Sequence, residues 1–307
     1  MKSLFSPITM LLGHVPSRLP YDFGRLLALL RRYPHPTILR VHGDTLRRVI
    51  RVSGAHVLIE VEADGDLLGV RALASDGDFD RASALTQVVH ILNLDSKRDA
   101  LQTALESHPA LRAALAPVIG LPLLRAIDLF EPLACAVIEQ QISWRAALKA
   151  QHWLMGWAGE GVSYAGEWWT AFPSSTRMAA ASHEALLPLK ITHKRIDLLR
   201  SLAQAVSDGA FDLTTLTGMD EAGRMRALTA IKGIGSWTAA VALSRAYGAG
   251  FSVPVNDVAL QAAAYFYLTG RDGRFSADEL GEKLGVLGDW AGTAAELLLC
   301  RWVLERY

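Results

Sequence analysis

Between about residue 37 and residue 74 the chain alternates apolar and polar positions with a period near two. Val49-Ile50-Arg51-Val52, Val57-Leu58-Ile59-Glu60-Val61 and Leu67-Leu68-Gly69-Val70-Arg71-Ala72-Leu73 read as strands. Ser53-Gly54-Ala55 and Ala63-Asp64-Gly65-Asp66 supply hairpin turns between them. Residues 21–32 before this stretch and 80–92 after it read as helices. An antiparallel sheet packed by helices is therefore expected, which makes residues 1–105 an α+β amino-terminal domain.

After about Asp95 the strand signal stops. Residues 100–116, 130–157, 175–180, 182–187, 194–208, 220–231, 236–246, 257–267, 276–284 and 290–306 read as helices separated by short Gly, Pro or Thr breaks. Phe172-Pro173-Ser174 and Pro254-Val255-Asn256 are the sharpest breaks. No period of 20–50 residues recurs, which excludes a solenoid. Residues 106–307 are expected to form an all-α domain.

Composition narrows the partners. Lys plus Arg equals Asp plus Glu, so the formal net charge is zero, and neither residues 1–100 nor residues 101–307 hide a strong excess of one sign. A polycationic coat or a basic tail binding nucleic acid by charge alone is excluded; a polyanion must be held by local geometry. Two cysteines, Cys135 and Cys300, cannot build a disulfide framework or a four-cysteine metal or iron–sulfur site. No run reaches the length of a membrane span, and the start of the chain, broken by Pro7, Gly13 and Pro16, is a poor signal peptide. A cytoplasmic protein without membrane partners is expected.

The most informative stretch is Leu228-Thr229-Ala230-Ile231-Lys232-Gly233-Ile234-Gly235-Ser236-Trp237-Thr238-Ala239. A helix ends at Ile231, glycines follow at Gly233 and Gly235, and a second helix begins near Ser236. Both glycines can take φ > 0 and leave room for an approaching group. The second helix offers its first amides and its positive dipole end to an anion. A plain αα-hairpin whose glycines only close the turn has the same local pattern. A dinucleotide-binding turn does not fit, because Thr238 stands at the third glycine position and a helix precedes the loop.

About twenty residues on comes Val253-Pro254-Val255-Asn256-Asp257-Val258. Asp257 stands where a helix should start, so it reads as an N-cap. It also reads as a carboxylate among apolar neighbours, placed to stabilise a developing cation or to activate water. The two roles are compatible, since a capping carboxylate has a fixed orientation.

The hairpin from Lys232 to Ala239, followed by Val253-Pro254-Val255-Asn256-Asp257, resembles the helix-hairpin-helix and catalytic aspartate of the base-excision DNA glycosylases. Asp128-Leu129-Phe130-Glu131-Pro132-Leu133, Ala136-Val137-Ile138-Glu139-Gln140-Gln141-Ile142-Ser143 and Phe172-Pro173-Ser174 are similar, in the same order, to the DNA-3-methyladenine glycosylase II family. Tyr21-Asp22-Phe23 resembles that family's amino-terminal domain. The likeness covers nearly the whole chain.

It implies a catalytic Asp257 and a base pocket with Trp237, Trp290, Val241 and Val258, in which indole faces favour a cationic alkylated base. Some relatives carry rings where Val241 and Val258 stand, and Ala291-Gly292-Thr293 replaces a more polar run. The hairpin residues Lys232, Gly233, Ile234, Gly235 and Thr238 would meet the DNA backbone. The wedge that fills the gap left by a flipped nucleotide falls at Gln141, with Ile142 as the alternative. No organic cofactor is implied; a Na+ or K+ ion on the carbonyls of Thr229, Ile231 and Gly233 is.

Bifunctional relatives carry a nucleophilic lysine two positions after the second glycine, where this chain has Trp237, so a Schiff base cannot form there. The implied function is monofunctional excision of 3-methyladenine- or 7-methylguanine-type bases from double-stranded DNA, by a monomer, leaving an abasic site. The alternatives are a glycosylase/lyase acting on oxidised bases and a non-catalytic damage-binding protein of the same fold.

Overall fold

The computed structural model describes residues 6–17, 20–32, 39–96, 98–248 and 253–306. The extreme start of the chain, the onset of the alternating pattern at Thr37, and Phe251 and Ser252 ahead of the Asp257 motif lie outside the described residues. The elements run β1 (Ser6–Pro16), α1 (Phe23–Arg32), β2 (Arg40–His42), β3 (Thr45–Val52), β4 (Ala55–Asp64), β5 (Leu67–Ser75), α2 (Arg81–Ile91), α3 (Arg98–Leu105), α4 (Pro109–Leu115) and α5 (Phe130–Glu139). They continue with α6 (Trp144–Ala158), β6 (Gly161–Tyr164), β7 (Glu167–Thr170), α7 (Ser175–Ala179), α8 (His193–Ser207), α9 (Glu221–Thr229), α10 (Ser236–Tyr247), α11 (Val258–Thr269), α12 (Ala277–Gly285) and α13 (Ala291–Arg306).

Packing groups these elements into two compact units, each assembled from separate stretches. One comprises Met1–Ser17, Pro34–Ile91 and Ala134–Thr217; the other comprises Arg18–Tyr33, Leu92–Leu133 and Gly218–Tyr307. Each unit draws on both sides of residue 105, so the order of elements along the chain and their grouping in space differ.

The first unit holds a five-stranded antiparallel sheet in the order β1-β5-β4-β3-β2. The three strands read from alternation are its centre, joined by the expected turns, with Val52 opposite Ala55 and Asp64 opposite Leu67. The edge strand β1 was hidden from sequence reading by Pro7, Gly13 and Pro16. Its register slips at Pro7/Met10 and Leu11/Gly13, and an edge strand tolerates such breaks because one side of its backbone needs no ladder partner.

Contrary to an all-α second region, a two-stranded hairpin forms at β6–β7, with Ala165 and Gly166 both at positive φ in its turn. Four-residue strands are too short to show a period, and the turn lacks the usual Asn-Gly or Asp-Gly pair. The hairpin lays Val162 and Trp169 on Val49, Leu58, Leu73 and Ala74 of the sheet, while α2 packs against β1 and β3. The middle of β4, Val57 to Val61, is buried, including Glu60, which Arg47 pairs at 2.6 Å.

The second unit is helical. α13 packs against α1, α4, α11 and α12, burying Ala294, Leu297 and Leu298. α1 was expected to pack the sheet; instead it belongs to this unit. The predicted helices 100–116 and 130–157 are each split, the first at Pro109, which opens α4, and the second at the turn after Glu139, where Ser143 caps α6 by accepting the Ala146 amide. Proline fits the first turn of a helix because its missing N–H has no partner there.

Candidate active site

The hairpin of the second unit begins where α9 stops. Asp220 caps the start of α9 by accepting the Gly223 amide at 2.7 Å. At its end the chain reverses in six residues. Ile231 N–H donates to Leu228 O, and Ile234 N–H donates to Ile231 O at 3.0 Å.

Gly233 has φ 99°, a left-handed backbone for which glycine is suited. Gly235 departs from the expectation of positive φ. It is the N-cap of α10 at φ −90°, ψ 177°, an extended geometry open to any residue, and a Cβ built there meets no atom within 4 Å. Backbone conformation therefore does not require glycine at 235; open space in front of the helix does accommodate an incoming group.

Lys232, Gly233, Gly235 and Ser236 are exposed, and the first amides of α10 have no intrahelical acceptor. Ile234 and Thr238, expected at the DNA backbone, have 3% exposure each, and the Ile234 amide is committed to Ile231. Their side chains anchor the hairpin from inside, beside the buried Leu228 and Ala239.

Asp257 is built by its own loop. Val255 N–H donates to Val253 O and Asp257 N–H donates to Pro254 O, each at 2.8 Å, and Gln261 Nε2 donates to Val255 O at 2.8 Å. The carboxylate caps α11: Oδ1 accepts the amides of Ala259 at 2.9 Å and Leu260 at 3.0 Å. Oδ2 accepts the indole Nε1–H of Trp237 at 3.3 Å. Trp237 is the second residue of α10, so this bond ties the phosphate-binding candidate to the carboxylate candidate across twenty positions of sequence. All three of these partners of the carboxylate are donors, which fixes both oxygens in place and suits a group that must face positive charge.

The remaining pocket candidates occupy defined places in the same unit. Val241 lies one turn after Trp237 on α10, and both are half-buried. Val258, the first residue of α11, is 56% exposed, unusually open for a large apolar side chain directly beside a fixed carboxylate. Trp290 ends a short 3-10 helix, Gly288–Trp290, just ahead of α13, and is half-buried.

The wedge candidates lie in the first unit, in the turn between α5 and α6. Gln141 is exposed at φ 52°, and Ile142 is half-buried. The Gln141 amide oxygen accepts a long, 3.5 Å bond from Arg195 Nη2. Arg195, on α8, is only 7% exposed, and burial lowers its pKa. Sequence reading missed it. The available signal was a cation on the buried stripe shared with Ile196, Leu199 and Leu202. It missed equally the indole–carboxylate bond of Trp237, for which no periodic signal exists.

A helical pair closed by Gly233, feeding a helix whose second residue bonds a capping aspartate, is a helix-hairpin-helix arrangement, and the fold is that of solved helix-hairpin-helix glycosylases. The sequence pattern of the AlkA N-terminal domain matches residues 13–128. Over most of its length the chain is similar to DNA-3-methyladenine glycosylases. It is 22% identical over 244 residues to a DNA-3-methyladenine glycosylase of Bacillus subtilis, covering 78% of this chain and 80% of that protein. A probable bifunctional transcriptional activator/DNA repair enzyme AlkA of Mycobacterium tuberculosis is 29% identical over 255 residues; the alignment covers 81% of this chain but only 49% of that longer protein. The fold is shared with a 3-methyladenine DNA-glycosylase from Archaeoglobus fulgidus, at TM-score 0.76 and 22% identity over 96% of this chain and 98% of the other.

Proposed function

We propose that the chain is a monofunctional DNA N-glycosylase that flips alkylated bases of the 3-methyladenine and 7-methylguanine type out of duplex DNA, excises them, and leaves an abasic site. The observation that carries the reading is Asp257, held by three N–H donors, one of them the indole of Trp237 at the position where a lyase would need a lysine. Breaking the N-glycosidic bond builds positive charge on the sugar, and a fixed carboxylate stabilises it and orients the attacking water. An alkylated purine already carries positive charge as a leaving group, so one carboxylate suffices. Half-buried indoles and the open Val258 suit such a base.

Lys232, Gly233, Gly235 and the first turn of α10 would take the phosphates. Ile234 and Thr238 support them from within. Na+ or K+ on the carbonyls of Thr229, Ile231 and Gly233 would add charge to this anion site; the Ile231 carbonyl, which accepts one amide, keeps a second lone pair for it. Gln141 is the wedge. The protein works as a monomer in the cytoplasm; no helix among the described residues is long and apolar enough to cross a membrane.

The test is release of free base from methylated duplex DNA, followed by borohydride treatment of the reaction. Release of 3-methyladenine or 7-methylguanine without a trapped protein–DNA adduct is expected. A trapped adduct would favour glycosylase/lyase action, and tight binding with no release would favour a damage-binding protein.

A further inference from the structure

We infer that Arg195 sets the hydrogen-bonding polarity of the wedge, turning the amide of Gln141 so that its NH2 group, and not its carbonyl oxygen, faces the base left unpaired by flipping. This rests on reading Gln141 as the wedge. Gln141 follows the end of α5 with φ 52°, in the left-handed position that closes many helices and that glycine fills at least cost. A glutamine there, with its side chain exposed, points to a use for the side chain.

Among the described residues that side chain has one partner, the buried guanidinium of Arg195, whose Nη2 lies 3.5 Å from Gln141 Oε1. Its other amino group, Nη1, is buried with no partner among the described residues. A guanidinium has only donors, so it can face only the oxygen end of an amide. At this distance the bond is weak as a bond, and the cation acts as a bias on the orientation of the amide dipole. The flanks of the turn are pinned separately. Gln151 Nε2 holds Glu139 at 2.8 Å, and Ser143 caps α6. The loop is thereby held on both sides while its apex is tethered loosely enough to enter DNA.

An NH2 group offered to the unpaired base discriminates in favour of a carbonyl acceptor such as that of thymine. Binding of the full chain to duplexes carrying a tetrahydrofuran abasic analogue tests this without chemistry or flipping. The base opposite is either thymine or 2,4-difluorotoluene, which has thymine's shape but no strong acceptor. The unaltered protein is expected to bind the thymine duplex roughly 3- to 10-fold more tightly, the worth of one net hydrogen bond. Arg195→Met should shrink that ratio below about twofold, because the amide is free to turn, while Arg195→Lys, still a donor-only cation, should retain it.

Gln141→Ala should weaken both complexes and abolish the ratio. Full preference in a folded Arg195→Met beside its loss in Gln141→Ala would overturn the role of Arg195 and leave the wedge standing. A Gln141→Ala protein with unchanged affinities and ratio would remove the wedge itself. Gln141→Glu keeps the size of the side chain and presents acceptors only. Retained thymine preference in that variant would likewise overturn the polarity argument.

Discussion

Around Asp257 three N–H donors converge on one carboxylate and three further bonds stiffen the backbone beside it, whereas among the described residues the side chain of Gln141 is held by a single hydrogen bond of 3.5 Å. Both residues sit at helix boundaries, one before α11 and one after α5. The start of a helix supplies donors that a carboxylate can cap, so rigidity comes with the position. The end of a helix supplies no such donors, and a side chain there remains free to move. A group that must stabilise charge at one place belongs at the first kind of site; a group that must enter a duplex belongs at the second.

Breaking the rigid half should have the largest effect. Asp257→Asn keeps an oxygen for the cap but loses the charge, and is expected to lower base release roughly 10²- to 10⁴-fold in single-turnover assays. Binding to abasic DNA should survive. Asp257→Ala should match it in activity but also lose about 1 kcal/mol of stability in thermal or denaturant unfolding, the worth of an N-cap. Undiminished release by Asp257→Asn would take the carboxylate out of the chemistry.

Next in size, Trp237→Phe retains a ring and removes the donor to Oδ2. Losing a hydrogen bond to a charged group should cost roughly 10- to 100-fold in kcat, with a smaller change in KM. A change confined to KM would mean that Trp237 serves base binding and not the orientation of Asp257.

The two glycines of the hairpin separate folding from binding. Gly233→Ala, at φ 99°, should destabilise the protein by about 1–2 kcal/mol. Gly235→Ala, with open space around its Cβ, should change stability by less than about 0.5 kcal/mol. If a phosphate approaches there, the same substitution should weaken DNA binding roughly tenfold, or 1.4 kcal/mol. Unaltered binding by Gly235→Ala would return the hairpin to a purely structural turn. The smallest effect is on salt. With neutral net charge and phosphates held by a few amides, log affinity should fall with log salt at a slope shallower than about −5. A steeper slope would reveal a basic face concealed by the charge totals.

Much of the local geometry of the candidate site was legible because it is written in residue types that local physics demands. Gly233 marks a reversal, Asp257 a helix start, and Trp237 the absence of a lysine. The central strands and most helices showed their periods. β1 did not, because prolines and a glycine interrupt it; β6 and β7 were too short to show one. Gly235 was read for the wrong reason, since its φ is ordinary and only the space before α10 distinguishes it. Ile234 and Thr238 were placed at the ligand because sequence adjacency does not tell which side of a turn faces inward.

The amino-acid sequence by itself determined the central strands, most helices, the hairpin and the capping carboxylate, because each depends on neighbours within a few positions. Tertiary structure alone decided that Trp237 donates to Asp257, that α1 joins the helical unit, and that Arg195 reaches Gln141. Those contacts join residues 20, roughly 270 and 54 positions apart, α1 meeting α13 in the second case. No local propensity encodes such pairings; they follow from which apolar faces must be buried together when the chain packs.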